Sequence, residues 1–545
     1  MRFTSKASRT RLAAGMLAAF AFCLATSSTA PATTHPGDKV HSRADRALRE
    51  GDFASAEKMY REMLVKDPHD KEARLGLSFT LLKRRQLQDA YDHAARVIFA
   101  DPLSARAHSL LGSAILASGD FRNSVEEFRT ALSIDENDAP AIAGLAMVDF
   151  YENRLDGAVR GLRRAVSLDS GEPDYIFNLG QAAARSERYK DAADAYERFL
   201  AIAPRTDSDR RARIRGLIDF LRYLGKQSSL YQPAGENKTV VSFESIDERP
   251  ILRVRVNGNK NELRFVLDTG SGMSVVSEQT AKRLGLRPVA QGGLARAVGG
   301  GGRFEIVYGF LSSLEIGDVK VESVPVYIRR FYDERNPVDG YVGLSIISKF
   351  IATVDYGQRT FSLVRQGQTD NSLELWRTIY KAETAGGNQP APSFGPSVEI
   401  PLRTTSSGFL SGEVMLEGIE KSHNFIIDTG ATISVVSEKL AALEELSAYH
   451  RPTRLRVYGA AGIAEDVKTL SLPRVVLGTL IRENVSAAVL DLEPVNETAG
   501  FTQDGILGGN FLRHFRVSFD FTRGVIRLEP ISKTARTDES RPDKL

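Results

Sequence analysis

Two Asp-Thr-Gly triplets, at residues 268–270 and 428–430, carry the residue types in this sequence that are best suited to chemistry. Each triplet ends an apolar run that is typical of a buried strand, and such a strand would deliver its carboxylate into a site of low dielectric constant. Glycine allows a tight turn that brings the backbone close to a neighbour, and threonine offers a hydroxyl that can brace the turn. Carboxylates placed in this way are candidates for acid and base chemistry.

The sequence around the triplets is duplicated as well. The two segments match at an offset of 160 residues, and the Asp-Gly-x-x-Gly segments at 339–343 and 504–508 match at an offset of 165. Short apolar runs separated by Gly and Asn indicate β structure throughout. We therefore predict two copies of one β unit, at residues 240–365 and 396–530, joined by a linker at 366–395.

The region before these units repeats with a period of 34 residues. The period is marked by Asp67, Asp101, Asp135, Asp169 and Ala203, and small residues recur with it at Ala56, Ala90, Ser124, Ala158 and Ala192. A small residue in each repeat lets two helices approach closely, so we predict about five helix pairs at residues 40–225. The pattern resembles the tetratricopeptide repeat family, which implies a superhelix that binds a protein or peptide. The alternative is that the array only spaces or oligomerises the rest of the chain.

The two β units resemble the retropepsin-like aspartic peptidases and, by extension, the pepsin-like ones. The resemblance implies a multidomain α + β chain, in which an α-solenoid of repeats precedes two all-β domains that form a pseudo-dimer around one site. It implies that Asp268 and Asp428 share a proton and a water, one acting as general base and the other polarising the scissile carbonyl. Thr269 and Thr429 would hold the two catalytic loops together.

The same resemblance assigns residues around the catalytic loops and in two flaps, the glycine-rich hairpins that close on a substrate. The residues that support the loops would be Gly270, Ser271, Gly430, Ala431, Gly343 and Gly508. The flap residues would be Gly299, Gly300, Gly301, Gly302, Tyr458, Gly459 and Gly462. Ser271 could donate a hydrogen bond to Asp268, whereas Ala431 has no such donor for Asp428. We therefore expect Asp268 to ionise first.

Composition argues against several other functions. The 545 residues include 72 Lys and Arg against 69 Asp and Glu, and the net charge of +3 leaves no broad basic surface for nucleic acid. The eight histidines never occur as HxxxH or HxH, and the only cysteine is Cys23. We therefore predict no metal site, no cofactor and no nucleic-acid partner.

The N-terminal segment is typical of an exported protein. Basic residues precede an apolar stretch from Leu12 to Ala25, and small residues follow as far as Ala30. This pattern predicts a signal peptide at residues 1–30, and hence a periplasmic or extracellular protein, with a bacterial envelope favoured. An uncleaved membrane anchor is the alternative, although about 14 apolar residues would span only ~21 Å of helix. The polar tail at 531–545 is predicted to be disordered.

These observations together predict an exported aspartic endopeptidase whose repeat array recruits a protein substrate or an adaptor. One alternative is a non-catalytic scaffold in the cell envelope that binds peptide or protein. Another is a protease that stays inactive until a partner docks. If the array is a tethered docking site, removing residues 31–225 should leave hydrolysis of short peptides largely intact.

Overall fold

The computed structural model describes five stretches of the chain, residues 36–206, 208–227, 229–299, 303–365 and 397–531. The predicted signal peptide, the linker at 366–395 and the tail beyond residue 531 lie outside these stretches. The flap candidates Gly300, Gly301 and Gly302 lie outside them too. Within the described stretches, no helix is long and apolar enough to cross a membrane.

Eleven helices form the N-terminal region of the described chain. They are α1 Pro36–Glu50, α2 Phe53–Lys66, α3 Lys71–Lys83, α4 Leu87–Ala100, α5 Ala105–Ser118, α6 Phe121–Ile134, α7 Ala139–Tyr151, α8 Leu155–Leu168, α9 Pro173–Arg185, α10 Tyr189–Ile202 and α11 Ser208–Leu224. The 34-residue period marks the turns where one helix pair ends and the next begins, as the turn between α2 and α3 shows. The backbone N–H of Asp67 donates to Met63 at 2.8 Å and ends α2, and the Asp70 carboxylate then caps α3 through the N–H of Ala73. The small residues of the period are completely buried between helices, which confirms the predicted α-solenoid.

The array curls far enough for its first turn to contact its last. Gly51, between α1 and α2, lies against Pro204, so that a Cβ at Gly51 would be 2.7 Å from the Cβ of Pro204. Lys83 at the end of α3 reaches Glu172 and Asp174 at the start of α9, at 2.8 and 2.6 Å. These contacts join repeats that are far apart in sequence and stabilise one curvature of the array.

Two β units follow. The first contains β1 Gln232–Gly235, β2 Lys238–Ser242, β3 Glu244–Ile246, β4 Arg249–Val256, β5 Leu263–Leu267, β6 Val275–Ser277, α12 Glu278–Leu284, β7 Ala290–Arg296, β8 Arg303–Ile316, β9 Val319–Arg329, β10 Gly340–Val342, α13 Leu344–Ile347, β11 Phe350–Asp355 and β12 Thr360–Arg365. Its main sheet has the order β1-β9-β6-β10-β5-β4-β8-β7, with β3 paired to β4. The strand β1 lies before the predicted start at residue 240. The sequence of β1 has no alternating apolar pattern that would predict a strand. The strand lies at the edge of the sheet and pairs only with β9.

The second unit has a matching arrangement. It contains β13 Val398–Pro401, β14 Arg403–Thr404, β15 Leu410–Leu416, β16 His423–Ile427, β17 Ser434–Ser437, α14 Glu438–Ala441, a 3₁₀ turn Glu444–Tyr449, β18 His450–Gly459, β19 Gly462–Leu477, β20 Leu480–Leu490, α15 Glu493–Ala499, β21 Gly505–Leu507, α16 Gly509–Leu512, β22 Phe515–Asp520 and β23 Val525–Pro530. Its main sheet runs β14-β15-β16-β21-β17-β20-β19-β18. The order of its inner strands repeats that of the first unit.

A third sheet joins the two units. Its order is β13-β23-β22-β11-β12-β2, so three strands come from each unit. The central pair is antiparallel, with Ala352 opposite Phe519 and Asp355 opposite Arg516. The hydroxyls of Thr353 and Ser518 also share a hydrogen bond of 3.0 Å across this pair. The pseudo-dimer is therefore held by a continuous backbone ladder within one chain.

The array packs directly on both units. On the second unit, the Phe501 ring lies 5.0 Å from those of Phe121 and Tyr151, and all three residues are buried. On the first unit, Phe220 of α11 stacks on Tyr308 at 4.1 Å. Aromatic pairs at these distances bury large apolar areas, so the array and the β units share a hydrophobic interface.

Candidate active site

Each triplet follows a strand that lies in the interior of its sheet. The strands β5 and β16 pair in parallel with β10 and β21, which places Leu267 beside Val342 and Ile427 beside Leu507. Asp268 and Asp428 then donate their backbone N–H to the carbonyls of Val342 and Leu507, each at 3.0 Å. The apolar strands thus bring both carboxylates into the interior of the β region, as their sequence predicts.

The two threonines bond reciprocally across the site. The Thr269 hydroxyl donates to the carbonyl of Ile427 at 2.7 Å and accepts the N–H of Thr429 at 3.0 Å. The Thr429 hydroxyl does the same with the carbonyl of Leu267 and the N–H of Thr269, at 2.7 and 3.1 Å. Both side chains are fully buried, so these four bonds fix one loop against the other in an environment of low dielectric constant.

The two carboxyl groups come together in the cavity, and each lies against the glycine of the opposite loop. A Cβ at Gly270 would be 2.4 Å from the Cγ of Asp428, and a Cβ at Gly430 would be 2.8 Å from that of Asp268. A side chain at either position would push the carboxyl groups apart, which explains why the triplets end in glycine. The N–H of Gly270 donates to Asp268 at 2.9 Å, and that of Gly430 donates to Asp428 at 2.7 Å.

The glycines after β10 and β21 support the loops from behind. Cβ atoms at Gly343 and Gly508 would be 2.7 Å from backbone atoms of Met273 and Ile433. Beyond them, the N–H groups of Leu344 and Gly509 donate to the carbonyls of Ser271 and Ala431, at 2.8 and 2.7 Å.

The predicted flap residues meet over the two units. The Cα of Gly459 would be 2.7 Å from a Cβ at Gly299, where φ is +84°. Gly459 pairs with Gly462 at the tip of the β18–β19 hairpin, and the Arg335 guanidinium lies 4.7 Å from the ring centroid of Tyr458. The tips of the two hairpins are therefore in contact.

Comparison with known families agrees with this geometry. A family model described as aspartyl protease matches residues 252–346 and 412–511. Three tetratricopeptide repeat models match residues 47–114, 105–138 and 144–205. The β region is an aspartyl protease domain in two segments. Tetratricopeptide repeats precede it, as the sequence predicts.

Individual relatives match the repeats. Anaphase-promoting complex subunit 3 of Schizosaccharomyces pombe is 26% identical over 157 residues, which are 29% of this chain and 24% of that protein. A thermophilic tetratricopeptide repeat protein from Thermus thermophilus is 20% identical, with a TM-score of 0.29, over 33% of this chain and 97% of the other. PilF of Pseudomonas aeruginosa is 15% identical, with a TM-score of 0.27, over 35% of this chain and 84% of that protein.

The two aspartates of the protease domain differ electrostatically. Burial, followed by the charge of Asp428 and its hydrogen bond, raises the pKa of Asp268 well above the ordinary range. Burial also raises the pKa of Asp428, but the N–H of Gly430, the Asp268 carboxyl and the N–H of Ala431 oppose that rise. The pair therefore favours protonated Asp268 beside ionised Asp428.

This order is the reverse of our expectation from the sequence. The Ser271 hydroxyl donates to the carbonyl of Met273 at 2.7 Å and stabilises its own loop, so it is not the predicted donor to Asp268. The second loop compensates for its missing hydroxyl through the backbone, because the N–H of Ala431 donates to Asp428 at 3.2 Å. A backbone donor depends on the shape of the loop, and the residue type at position 431 does not reveal it.

Both aspartates line a cavity of about 1190 Å³, together with Val298 and Tyr458 of the flaps. The repeat array lines the same cavity, and sequence reasoning missed this completely. The array residues concerned include Leu155, Tyr189, Tyr196, Arg213, Leu217 and Phe220. The 34-residue period follows from the packing of helices within the array. It therefore does not predict which surface of the array contacts another domain.

Arg185 at the end of α9 connects the array to the catalytic loops. Its guanidinium donates to the Thr404 hydroxyl and to the carbonyls of Thr405 and Ser406, at 2.8, 2.6 and 3.0 Å. The same loop contacts the first catalytic loop, because a Cβ at Gly272 would be 2.8 Å from the carbonyl oxygen of Ser407. Burial lowers the pKa of Arg185 to about 10, which leaves it charged at neutral pH.

The remaining acidic side chains form no metal centre in the part of the chain that the structure describes. Among those residues, no group of three or more His, Cys, Asp or Glu side chains is arranged to hold a metal ion. Asp355 and Asp520 each accept two backbone N–H groups in a turn. These two carboxylates therefore have structural roles.

Proposed function

We propose that this protein is an exported aspartic endopeptidase in which Asp428 is the general base and Asp268 the general acid. The observation that carries the proposal is the pair of carboxyl groups that line one cavity, each against the glycine of the opposite loop. Their raised pKa values favour one shared proton. The aspartyl protease family match supports the same reaction class. The contact between the flap tips supports a site that excludes water around the substrate.

The proposed reaction has two steps. First, Asp428 takes a proton from water as the water oxygen bonds to the scissile carbonyl carbon, and Asp268 gives its proton to the carbonyl oxygen. Then the C–N bond breaks, the leaving nitrogen takes the proton held by Asp428, and the C=O bond reforms as its proton returns to Asp268. The pair is back in its starting state, so no metal or cofactor is required.

Substitution of either aspartate tests the proposal. Asp268→Asn and Asp428→Asn should each lower kcat by at least about a thousandfold, because neither amide can exchange the shared proton. The measurement is cleavage of a fluorogenic peptide library by the purified full chain. The exposed Asp318, in the β8–β9 turn, provides the control variant Asp318→Asn, which should keep full activity. Near-normal turnover by either dyad variant would refute the assignment, and peptide binding without cleavage by the unmodified chain would favour the scaffold.

Export and recruitment belong to the same proposal. Mass spectrometry of the chain recovered from its native host should find Pro31 as the first residue, as cleavage after Ala30 requires.

For the array, the proposed role is to recruit a protein substrate or an adaptor. Val65 and Phe99, one period apart, are 82% and 92% exposed. Replacing both by Ser should slow cleavage of folded envelope proteins and leave peptide hydrolysis unchanged; equal effects on both substrates would contradict recruitment at this surface.

A further inference from the structure

Arg329 shares a cavity with the two aspartates and acts electrostatically on one of them. It is the last residue of β9 and lines the cavity that contains them. Its positive charge acts on Asp268, where it opposes the rise in the pKa of that carboxyl. The ring centroid of Phe304, near the start of β8, lies 5.3 Å from its guanidinium carbon. The cation therefore lies over a ring at the start of β8 and within electrostatic reach of Asp268.

Among the described residues, the Arg329 guanidinium forms no ion pair with an acidic side chain. Its Nε atom is buried and has no hydrogen-bond partner among the described residues. The acidic group that acts on it is Asp268, the member of the pair that favours the protonated state, and three tyrosines lie within its electrostatic reach. Those tyrosines are Tyr341, Tyr332 and Tyr327. Neutral groups compensate poorly for the water that a partly buried cation has lost.

Most other arginines along the cavity differ from Arg329; Arg249 also has a buried Nε without a partner, but it forms ion pairs with Asp247 and Asp333. Each of six has a hydrogen bond or ion pair with the protein, namely Arg185, Arg213, Arg249, Arg296, Arg335 and Arg456. The adjacent Arg330 is exposed to solvent and lies over Tyr332. Arg329 thus combines a partly buried side chain in the cavity, an electrostatic effect on Asp268 and a buried Nε without a partner, and it differs from Arg249 in having no ion pair among the described residues.

We propose that Arg329 forms a subsite for a carboxylate of the substrate, next to the scissile bond. The inference rests on the proposed peptidase function and adds a substrate class to it. A guanidinium presents a planar fork of donors that matches a carboxylate, and the low dielectric constant of the cavity strengthens such a pair. A substrate carboxylate would supply the anion that the described part of the chain does not provide.

Two peptide groups have this chemistry. One is the side chain of an internal Glu or Asp, and the other is the free C-terminal carboxylate. Matched peptides separate them: one pair differs only by Glu against Gln near the cleavage site, and the other pair only by a C-terminal carboxylate against a carboxamide. In one of the pairs, the carboxylate peptide should be cleaved about 10 to 100-fold faster in kcat/KM.

The full chain and its Arg329→Gln variant are compared on the cleavage sites found in a mixture of proteome-derived peptides by mass spectrometry. The full chain should prefer one carboxylate position, and Arg329→Gln should lose this preference while still cutting neutral peptides. Arg330→Gln removes a neighbouring positive charge and should keep the preference. Arg329→Lys, which retains the charge without the fork, should keep a weaker preference and serves if Arg329→Gln does not fold.

A binding measurement separates this inference from the proposed function. The same peptides are captured on immobilised Asp428→Asn chains with and without Arg329→Gln, so that hydrolysis is not needed. Carboxylate peptides should be enriched about tenfold only where Arg329 is present. Cleavage without any carboxylate preference in the unmodified chain would overturn the subsite and leave the peptidase standing. Carboxylate-selective capture without cleavage by the unmodified chain would refute the peptidase and leave the subsite.

Discussion

At the scale of single residues, Asp268 and Asp428 set opposite limbs of the pH dependence. The proposed reaction needs ionised Asp428 and protonated Asp268. As the pH increases, kcat/KM should therefore rise when Asp428 loses its proton and fall when Asp268 loses its proton. Since the pKa of each carboxyl is raised by burial, both limbs should lie above the ordinary aspartate value of about 3.9. A pH series on one neutral peptide measures the two limbs; a flat profile from about pH 4 to 9 would contradict the mechanism.

Arg329 gives that profile an internal test. Its charge opposes the rise in the pKa of Asp268, so Arg329→Gln should move the alkaline limb to higher pH. The acid limb, which belongs mainly to Asp428, should move less. The two apparent values belong to the coupled pair, so the shift of each limb between variants is the informative quantity. A purely structural role for Arg329 would lower the rate without moving either limb.

At the scale of structural elements, the reciprocal threonine bonds determine how the two catalytic loops meet. Thr429→Val would remove a hydroxyl and leave the carbonyl of Leu267 and the N–H of Thr269 buried without partners. We expect this change to lower the free energy of unfolding by about 2 to 4 kcal/mol and to reduce activity. Thr429→Ser retains the hydroxyl and should lose about 1 kcal/mol or less. Chemical denaturation measures both, and equal losses would mean that packing of the methyl group dominates.

The elements also explain what sequence could and could not predict. The period of 34 residues and the duplicated triplets predict the helix pairs and the two β units, because burial of small residues and strand-end carboxylates is a local property. The strand β1 was missed because its pairing is made by the backbone and not by apolar side chains. The bond from Ser271 to Met273 and the cavity position of Arg329 depend on loop conformation and tertiary contacts, for which residue types give no signal.

At the scale of the whole molecule, the array is part of the protease rather than a tether. It lines the cavity and buries Phe220 and Phe501 in its contact with the β units. Removing residues 31–225 should therefore expose these apolar contacts and abolish the hydrolysis of short peptides as well as of proteins. This replaces our expectation from the sequence, which treated the array as an independent docking module. Deletion alone cannot separate the loss of a docking site from the loss of a cavity wall.

A single substitution can distinguish the loss of a docking site from the loss of a cavity wall. Arg185→Met keeps the array but leaves the Thr405 and Ser406 carbonyls without their donor, next to the loop that contacts Gly272. We expect it to lower the free energy of unfolding by about 2 to 4 kcal/mol and kcat on short peptides by roughly tenfold. Arg188→Met, which removes an exposed ion pair, should change stability by less than about 1 kcal/mol. Unchanged kcat in Arg185→Met, or full peptide hydrolysis by the truncated chain, would mean that the catalytic loops hold their geometry without the array.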